Sequence, residues 1–199
     1  RRRGAAWSHV QRCELRTATV DLADLESVRA FVARVAEQQP PPDVFVQNAA
    51  VLAFTERRTR QDLPELMGVN HVGAYALARA FAHRVVRART GRVLMVASGA
   101  HRACTLPLRG DDEWLLDARA ANGTAQRGVA RLTAYACSKL CTILSAQWLA
   151  ADVRARGVTV LALHPGVVRT EAPPHGLGVA ARLFKVLVHD TIAMDAWQG

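Results

Sequence analysis

Apolar runs of strand length alternate with longer helical stretches in this chain, and that alternation restricts its fold more than any other feature. Buried strands are predicted at 43–47, 92–97 and 158–163, with a shorter β-rich run at 17–20. Helices are predicted at about 21–38, 63–88, 132–156 and 180–188, with an irregular excursion at 100–130. Such alternation indicates βαβ units. We therefore expect an α/β fold, a doubly wound parallel sheet with helices on both faces.

The length of the chain suits one domain. Its 199 residues are 50% hydrophobic, which is enough for a core and excludes a disordered chain. No run of 18 or more apolar residues predicts a membrane span, and residues 1–20 lack the apolar segment of a secretory signal. The first residue is Arg1 rather than Met, so we expect a fragment of a longer protein.

The chain is strongly basic, with a formal charge of +9 and a pI of about 10.6. This charge raises the alternative of a nucleic-acid binder, which would show a steep salt dependence of DNA affinity. The two lysines are Lys139 and Lys185, and the other basic residues are scattered arginines without a zinc-finger or RNA-binding motif. A basic, solvated surface is the favoured interpretation, with no dedicated nucleic-acid binding.

The four cysteines are Cys13, Cys104, Cys137 and Cys141. Their spacings fit no zinc template, and no histidine or second cysteine pair stands near Cys137 and Cys141 in the sequence. We therefore predict no metal site, and buried or half-buried thiols in a reducing compartment.

Polar residues follow each predicted buried strand, where ligands bind in parallel α/β folds. Ser98 follows the second of these strands, and its hydroxyl could donate a hydrogen bond to a carbonyl oxygen. Tyr135 and Lys139 are four residues apart, so they share one face of a helix. A cation beside a phenol lowers the phenol's pKa, which favours proton exchange near neutral pH.

These residues form an ordered series of motifs at element boundaries: Asn48-Ala49-Ala50, Asn70, Ser98, Tyr135-x-x-Ser138-Lys139 and Pro165-Gly166. The series resembles that of the short-chain dehydrogenase/reductase family, and the segments 69–73, 134–140 and 163–170 resemble its retinol-dehydrogenase-like branch. The resemblance implies a single NAD(P)-binding domain of the Rossmann type over 1–199. It also implies truncation at both ends, with the first two strands, their Gly-rich loop and the last strand missing.

The resemblance implies a role for each matching residue. Tyr135 would be the general acid/base. Lys139 would bind the nicotinamide ribose and assist the proton transfer by Tyr135. Ser98 would orient the substrate carbonyl, and Asn70 would hold a water in the proton relay. The cofactor-binding residues would be Tyr135 and Lys139 together with Asp21, Leu22, Asn48, Ala49, Ala50, Pro165, Gly166, Val168 and Thr170.

The implied function is hydride transfer between NADP or NAD and an alcohol or carbonyl substrate, with retinoids, steroids and other lipophilic aldehydes or ketones as candidates. Arg1–Arg3 favour NADP, since they could lie near its 2′-phosphate. The resemblance further implies a small-molecule substrate, no metal, and a homodimer or homotetramer. We expect an intracellular protein, cytoplasmic or membrane-associated.

The sequence departs from the family pattern in three places. Gln47 and Ala50 stand where the family usually has Asn and Gly, and an added methyl at position 50 could crowd the cofactor. The stretch of sequence between Ser98 and Tyr135 is longer than the family commonly shows. The family's Gly-rich phosphate loop is absent from these residues. Residues 176–181 match the general dinucleotide-binding spacing G-x-G-x-x-A, but two prolines stand where a strand should precede it. We therefore expect this fragment alone to be inactive, and the alternative is a catalytically inactive binding or regulatory module.

Overall fold

Three parallel strands form the sheet, in the order in which they occur along the chain: β1 Val44–Gln47, β2 Arg92–Val96 and β3 Thr159–Leu163. They are seen in a computed structural model that describes residues 14–52, 57–84, 91–104 and 126–166, with side chains from residue 132 in the last range. The three predicted buried strands are confirmed to within one residue at each end. The parallel α/β fold is confirmed with them.

Helices precede the first of these strands and connect it to the next two. The helices are α1 Leu25–Gln38, α2 Glu65–Met67, a π-helical turn Gly68–Gly73, α3 Ala74–Arg84, a 3₁₀ turn Gly99–Ala103, α4 Gln126–Val153 and a 3₁₀ turn Arg154–Arg156. Helix α1 begins where the Asp24 carboxylate accepts a hydrogen bond from the Glu26 amide, 3.0 Å away. It ends at Gln38, as predicted, because three prolines follow at 40–42.

The core lies between the sheet and helices α1, α3 and α4. Val93, Met95 and Val160 point from the strands into it, and they pack against small and aliphatic side chains of α3 and α4. Phe45 of β1 stacks on Phe81 of α3, with ring centroids 4.6 Å apart. A β–helix–β crossover between adjacent parallel strands is right-handed. Because β2 and β3 are each added on the same side of the preceding strand, their connecting helices lie on one face of the sheet.

The opposite face of the sheet carries a row of apolar side chains. Val46, Leu94 and Leu161 are paired across the three strands in register, and Val46 and Leu161 are about half exposed, at 51% and 49%. Among the described residues, the helices therefore cover one face of the sheet. Within the same residues, no helix combines the length and the hydropathy that crossing a membrane would require.

Two predictions of local structure are wrong. Residues 17–20 form no strand, and the Thr19 carbonyl accepts a hydrogen bond from the Arg34 side chain instead of from a neighbouring strand. A β-rich run forms a strand only where another strand pairs with it. Helix α4 begins at Gln126, six residues before the predicted start, because a single glycine at 128 costs only about 1 kcal/mol among good helix formers. The helix predicted at 180–188 lies outside the described residues.

Candidate active site

The segment after β1 lies at the carboxyl edge of the sheet. Gln47, the last residue of the strand, is buried, and its side-chain amide donates a hydrogen bond of 2.8 Å to the Ala49 carbonyl. Asn48, Ala49 and Ala50 are exposed. Gln47 therefore closes the turn beneath three residues that face solvent, where a ligand can reach their backbone.

Ser98 follows β2 and caps the 3₁₀ turn Gly99–Ala103. Its hydroxyl oxygen accepts a hydrogen bond from the Ala100 amide, 3.2 Å away. This bond uses a lone pair of the hydroxyl and not its hydrogen, so the hydrogen can be donated to a carbonyl oxygen. The Gly99 amide donates to Nδ1 of His164 at 3.2 Å, which ties the ends of β2 and β3 together.

Tyr135 and Lys139 lie on one face of α4, as predicted. The Lys139 ammonium is 5.9 Å from the centroid of the Tyr135 ring. Lys139 is only 3% exposed, and its ammonium donates a hydrogen bond of 3.0 Å to the Val96 carbonyl. Burial lowers the pKa of Lys139 from its usual value, because the charged form loses hydration.

The segment that carries Ser98 is attached to α4 at both of its ends. Val96 accepts the hydrogen bond from Lys139, and Cys104 forms a disulfide with Cys137, with Cα atoms 4.9 Å apart. Cys137 lies between Tyr135 and Lys139 in the sequence. The structure therefore brings the predicted catalytic serine segment and the predicted catalytic helix turn together.

The prediction that all the cysteines are thiols is wrong for this pair. The disulfide joins residues 33 positions apart, a pairing that depends on how the Ser98 segment packs on α4 and that cysteine spacing does not reveal. Cys141 is a free, half-buried thiol, as predicted, and burial raises its pKa.

Asn70 lies in the π-helical turn and is buried, with 1% of its surface exposed. Its side-chain oxygen accepts from the Val51 amide at 2.7 Å. Its side-chain nitrogen donates to the Val51 carbonyl at 2.9 Å and to the Ser138 hydroxyl at 3.2 Å. Both amide hydrogens are thus donated to protein oxygens, and Asn70 connects the segment after β1 to α4. The predicted role in holding a water stays a prediction.

Asp21 and Leu22 lie in the turn that precedes α1. The exposed Asp21 carboxylate accepts a hydrogen bond from the Ala23 amide at 2.8 Å, and Leu22 packs at the edge of the core. Gly73, which the sequence reasoning missed, approaches this turn so closely that a Cβ on it would lie 2.1 Å from the Leu22 carbonyl oxygen. A glycine at the end of a motif segment was the available signal.

The last predicted cofactor residues follow β3. Pro165 is exposed, and Gly166 has a φ of 86°, a left-handed conformation that glycine adopts without strain. Val168 and Thr170 lie outside the described residues. The residues after β1, β2 and β3 thus share the carboxyl edge of one sheet, the place where parallel α/β folds bind ligands.

The motif series and this edge agree with a comparison of the sequence with known families. A family profile described as short chain dehydrogenase matches residues 2–105. The chain belongs to the short-chain dehydrogenase family. The motif series in the sequence predicts this family, and the profile confirms it.

Curated relatives support the retinol-dehydrogenase-like branch of the short-chain dehydrogenases. "Dehydrogenase/reductase SDR family member 13" of Bos taurus is 36% identical over 152 residues, which cover 76% of this chain and 37% of the relative. "Retinol dehydrogenase 13" of Homo sapiens is 33% identical over 156 residues, covering 78% of this chain and 44% of the relative. The chain thus spans less than half the length of either relative.

A solved short-chain dehydrogenase from Burkholderia cenocepacia, in complex with NADP, has a similar fold. The two chains are 25% identical with a TM-score of 0.59, and the alignment covers 89% of this chain and 63% of that one. This similarity confirms the Rossmann-type fold of the short-chain dehydrogenase family.

Proposed function

We propose that the protein carrying these residues transfers a hydride between a nicotinamide cofactor and an alcohol or carbonyl substrate. The observation that carries the proposal is the double attachment of the Ser98 segment to α4, through Lys139 to Val96 and through Cys104 to Cys137. These two contacts attach the segment that carries the serine hydroxyl to the turn of α4 that carries the phenol and the ammonium. That is the set of groups that proton transfer to a carbonyl oxygen requires.

Each of the three groups has a distinct task in this proposal. Tyr135 donates its phenolic proton to the carbonyl oxygen during reduction and accepts the hydroxyl proton during oxidation. Ser98 donates a hydrogen bond to the same oxygen and stabilises the negative charge that develops on it. Lys139 keeps a positive charge beside the Tyr135 ring. When bound, the cofactor supplies or accepts the hydride.

The carboxyl edge of the sheet suits a dinucleotide, because it presents exposed backbone after β1 and an exposed turn after β3. The Lys139 ammonium has three hydrogens, of which one is donated to Val96. The others suit the hydroxyls of a ribose. We assign the remaining contacts to the residues that match the family motifs: Asp21, Leu22, Asn48, Ala49, Ala50, Pro165, Gly166, Val168 and Thr170.

For the substrate we propose a lipophilic aldehyde or ketone, or the matching alcohol, of the retinoid or steroid type. The support is the similarity to a protein named retinol dehydrogenase. We propose NADP over NAD, because Arg1–Arg3 supply positive charge for a 2′-phosphate. The proposed protein is intracellular, in the cytoplasm or at a membrane, and acts as a dimer or tetramer.

The test is an activity assay on the full-length protein. Purified protein is mixed with NADPH or NADH and a panel of short, aromatic and lipophilic aldehydes, and the loss of reduced-nicotinamide absorbance is followed. We expect turnover of lipophilic aldehydes, with NADPH preferred. Dinucleotide binding without turnover of any aldehyde would contradict the proposal, and would favour the inactive binding module that Ala50 also suggests.

A further inference from the structure

Ser138 belongs to the Tyr135-x-x-Ser138-Lys139 motif, and the proposed chemistry gives it no task. It is fully buried, at 0% exposure. Its hydroxyl donates a hydrogen bond of 2.7 Å to the Tyr135 carbonyl and accepts one of 3.2 Å from the side-chain nitrogen of Asn70. Both functions of the hydroxyl are therefore used, one within α4 and one outside it.

The partner outside α4 extends the connection to the other side of the site. Asn70 holds both backbone groups of Val51, at 2.7 Å and 2.9 Å. Val51 directly follows the exposed residues 48–50. A continuous path of hydrogen bonds thus runs from Val51 through Asn70 and Ser138 to the backbone of Tyr135.

The energetics of this path favour a single arrangement. Its two polar side chains are buried, so a broken hydrogen bond leaves an unpaired polar group away from water. A serine that bonds back to a preceding carbonyl also changes the local direction of a helix. The hydroxyl of Ser138 therefore sets the position of the α4 turn that contains Tyr135 relative to the segment 48–52.

We propose that Ser138 is a positioning residue for the reaction: through Asn70 it holds the Tyr135 turn in register with the segment 48–52, which receives the cofactor. This inference rests on the proposed function. A displacement of about 1 Å between reacting groups can lower a rate on the order of 100-fold. The loss of the hydroxyl would lower turnover, although Ser138 itself touches neither substrate nor cofactor.

The chain offers a matched control in Thr142, which lies one turn further along α4. Thr142 is also buried, and its hydroxyl donates to the Ser138 carbonyl at 3.1 Å. Thr142→Ala removes a buried hydroxyl and a helical back-bond, as Ser138→Ala does, but it leaves the bond between Ser138 and Asn70 intact. Ser138→Thr keeps a hydroxyl at position 138.

The first experiment needs no activity. Amide hydrogen exchange of the segment 48–52 is measured by mass spectrometry in the unliganded wild type and in Ser138→Ala and Thr142→Ala. We expect faster exchange at 48–52 in Ser138→Ala only. Unchanged exchange in Ser138→Ala, or an equal increase in Thr142→Ala, would overturn the proposed connection.

The second experiment measures kcat and KM of the full-length enzyme. We expect Ser138→Ala to lower kcat about 10-fold or more with little change in KM. Thr142→Ala should keep kcat within about twofold of the wild type. Ser138→Thr, which keeps the hydroxyl, should retain most of the kcat that Ser138→Ala loses. Equal losses of kcat in the two alanine variants would reduce Ser138 to a structural residue. If the wild type turns over no substrate, the proposed function fails, whereas the exchange result still decides whether Ser138 connects the two segments.

Discussion

The ammonium of Lys139 donates a hydrogen bond to the carbonyl of Val96, 3.0 Å away, at the last residue of β2. This bond crosses from α4 to the strand that leads directly to Ser98. It gives a buried cation a protein partner, and buried charges persist only when they are paired or hydrogen-bonded. In the unliganded protein, Lys139 thus holds together the two elements between which we propose that the reaction takes place.

The burial of Lys139 predicts a pH-dependent stability. Burial lowers the pKa of Lys139 in the folded state below its usual 10.5, so between the two values the unfolded chain binds more protons than the folded one. Stability contributed by this group therefore rises as pH increases through that window. We expect the free energy of unfolding of the wild type, relative to Lys139→Met, to increase as the pH rises towards the usual pKa of 10.5.

Urea unfolding of both proteins across this pH range measures the effect. All other titrating groups are present in both proteins, so the difference reports Lys139 together with any group whose charge is coupled to it. A difference that stays constant with pH would show that Lys139 has the same pKa folded and unfolded. The same variant is expected to lower both turnover and dinucleotide affinity.

Tyr135→Phe is predicted to separate chemistry from binding. Phenylalanine keeps the aromatic ring beside Lys139 but removes the phenolic proton, a contribution typically worth about 10²–10⁴-fold in rate. We expect kcat to fall by that amount while dinucleotide affinity, measured by calorimetric titration, changes less than about twofold. If most of the activity survives, Tyr135 is not the proton donor.

The strands were predictable because buried apolar runs of strand length have few structural alternatives. The runs at 44–47 and 92–96 are bounded by prolines, a glycine and polar residues, and the structure places them within a residue of the prediction. Residues 17–20 are rich in β-branched residues and were predicted to form a strand, yet they form none. Pairing depends on a neighbouring strand and not on the run itself.

The site was predictable as a set of residues but not as a network. Residues that follow parallel strands meet at one edge, so Ser98 and the segment 48–50 could be placed there from the alternation alone. The contact of Asn70 with Ser138 joins positions 68 apart, and the disulfide of Cys104 with Cys137 joins positions 33 apart. Neither pairing leaves a periodic signal, because both depend on how α4 packs.

The disulfide predicts a redox-dependent stability. A bond that closes a loop between positions 33 apart restricts the unfolded chain and typically contributes about 2–4 kcal/mol. We expect Cys104→Ser to lower the free energy of unfolding by about that amount under oxidising conditions. Dithiothreitol should remove most of the difference from the wild type.

Cys141→Ser is the matched control, since Cys141 is a free thiol on the same helix. Its stability should depend on dithiothreitol as that of the wild type does. Alkylation of the intact protein with and without reductant, followed by mass spectrometry, counts the thiols directly. Modification of Cys104 and Cys137 without prior reduction would show that the pair is not bonded.

Gly73→Ala is predicted to disturb the turn that holds Asp21 and Leu22. A Cβ at position 73 would lie 2.1 Å from the Leu22 carbonyl oxygen, so the backbone of the turn or of the π-helical turn must move. Such overpacking typically costs about 1–3 kcal/mol. Because Asp21 and Leu22 are proposed to flank the adenine, we also expect the KM for the dinucleotide to rise.

Gly68→Ala, in the same π-helical turn, provides the comparison for this last prediction. Its Cβ would meet the Thr59 side-chain methyl at 2.2 Å, and rotating that buried side chain would break the hydrogen bond that its hydroxyl accepts from the Leu63 amide, whereas Gly73 faces the backbone at Leu22. Both substitutions gain the same helix propensity, so it cancels between them. We therefore expect both variants to lose stability in thermal unfolding, whereas only Gly73→Ala should raise the KM for the dinucleotide. A KM for the dinucleotide that stays at the wild-type value in Gly73→Ala, or that rises equally in Gly68→Ala, would contradict the assignment of Asp21 and Leu22 to the adenine.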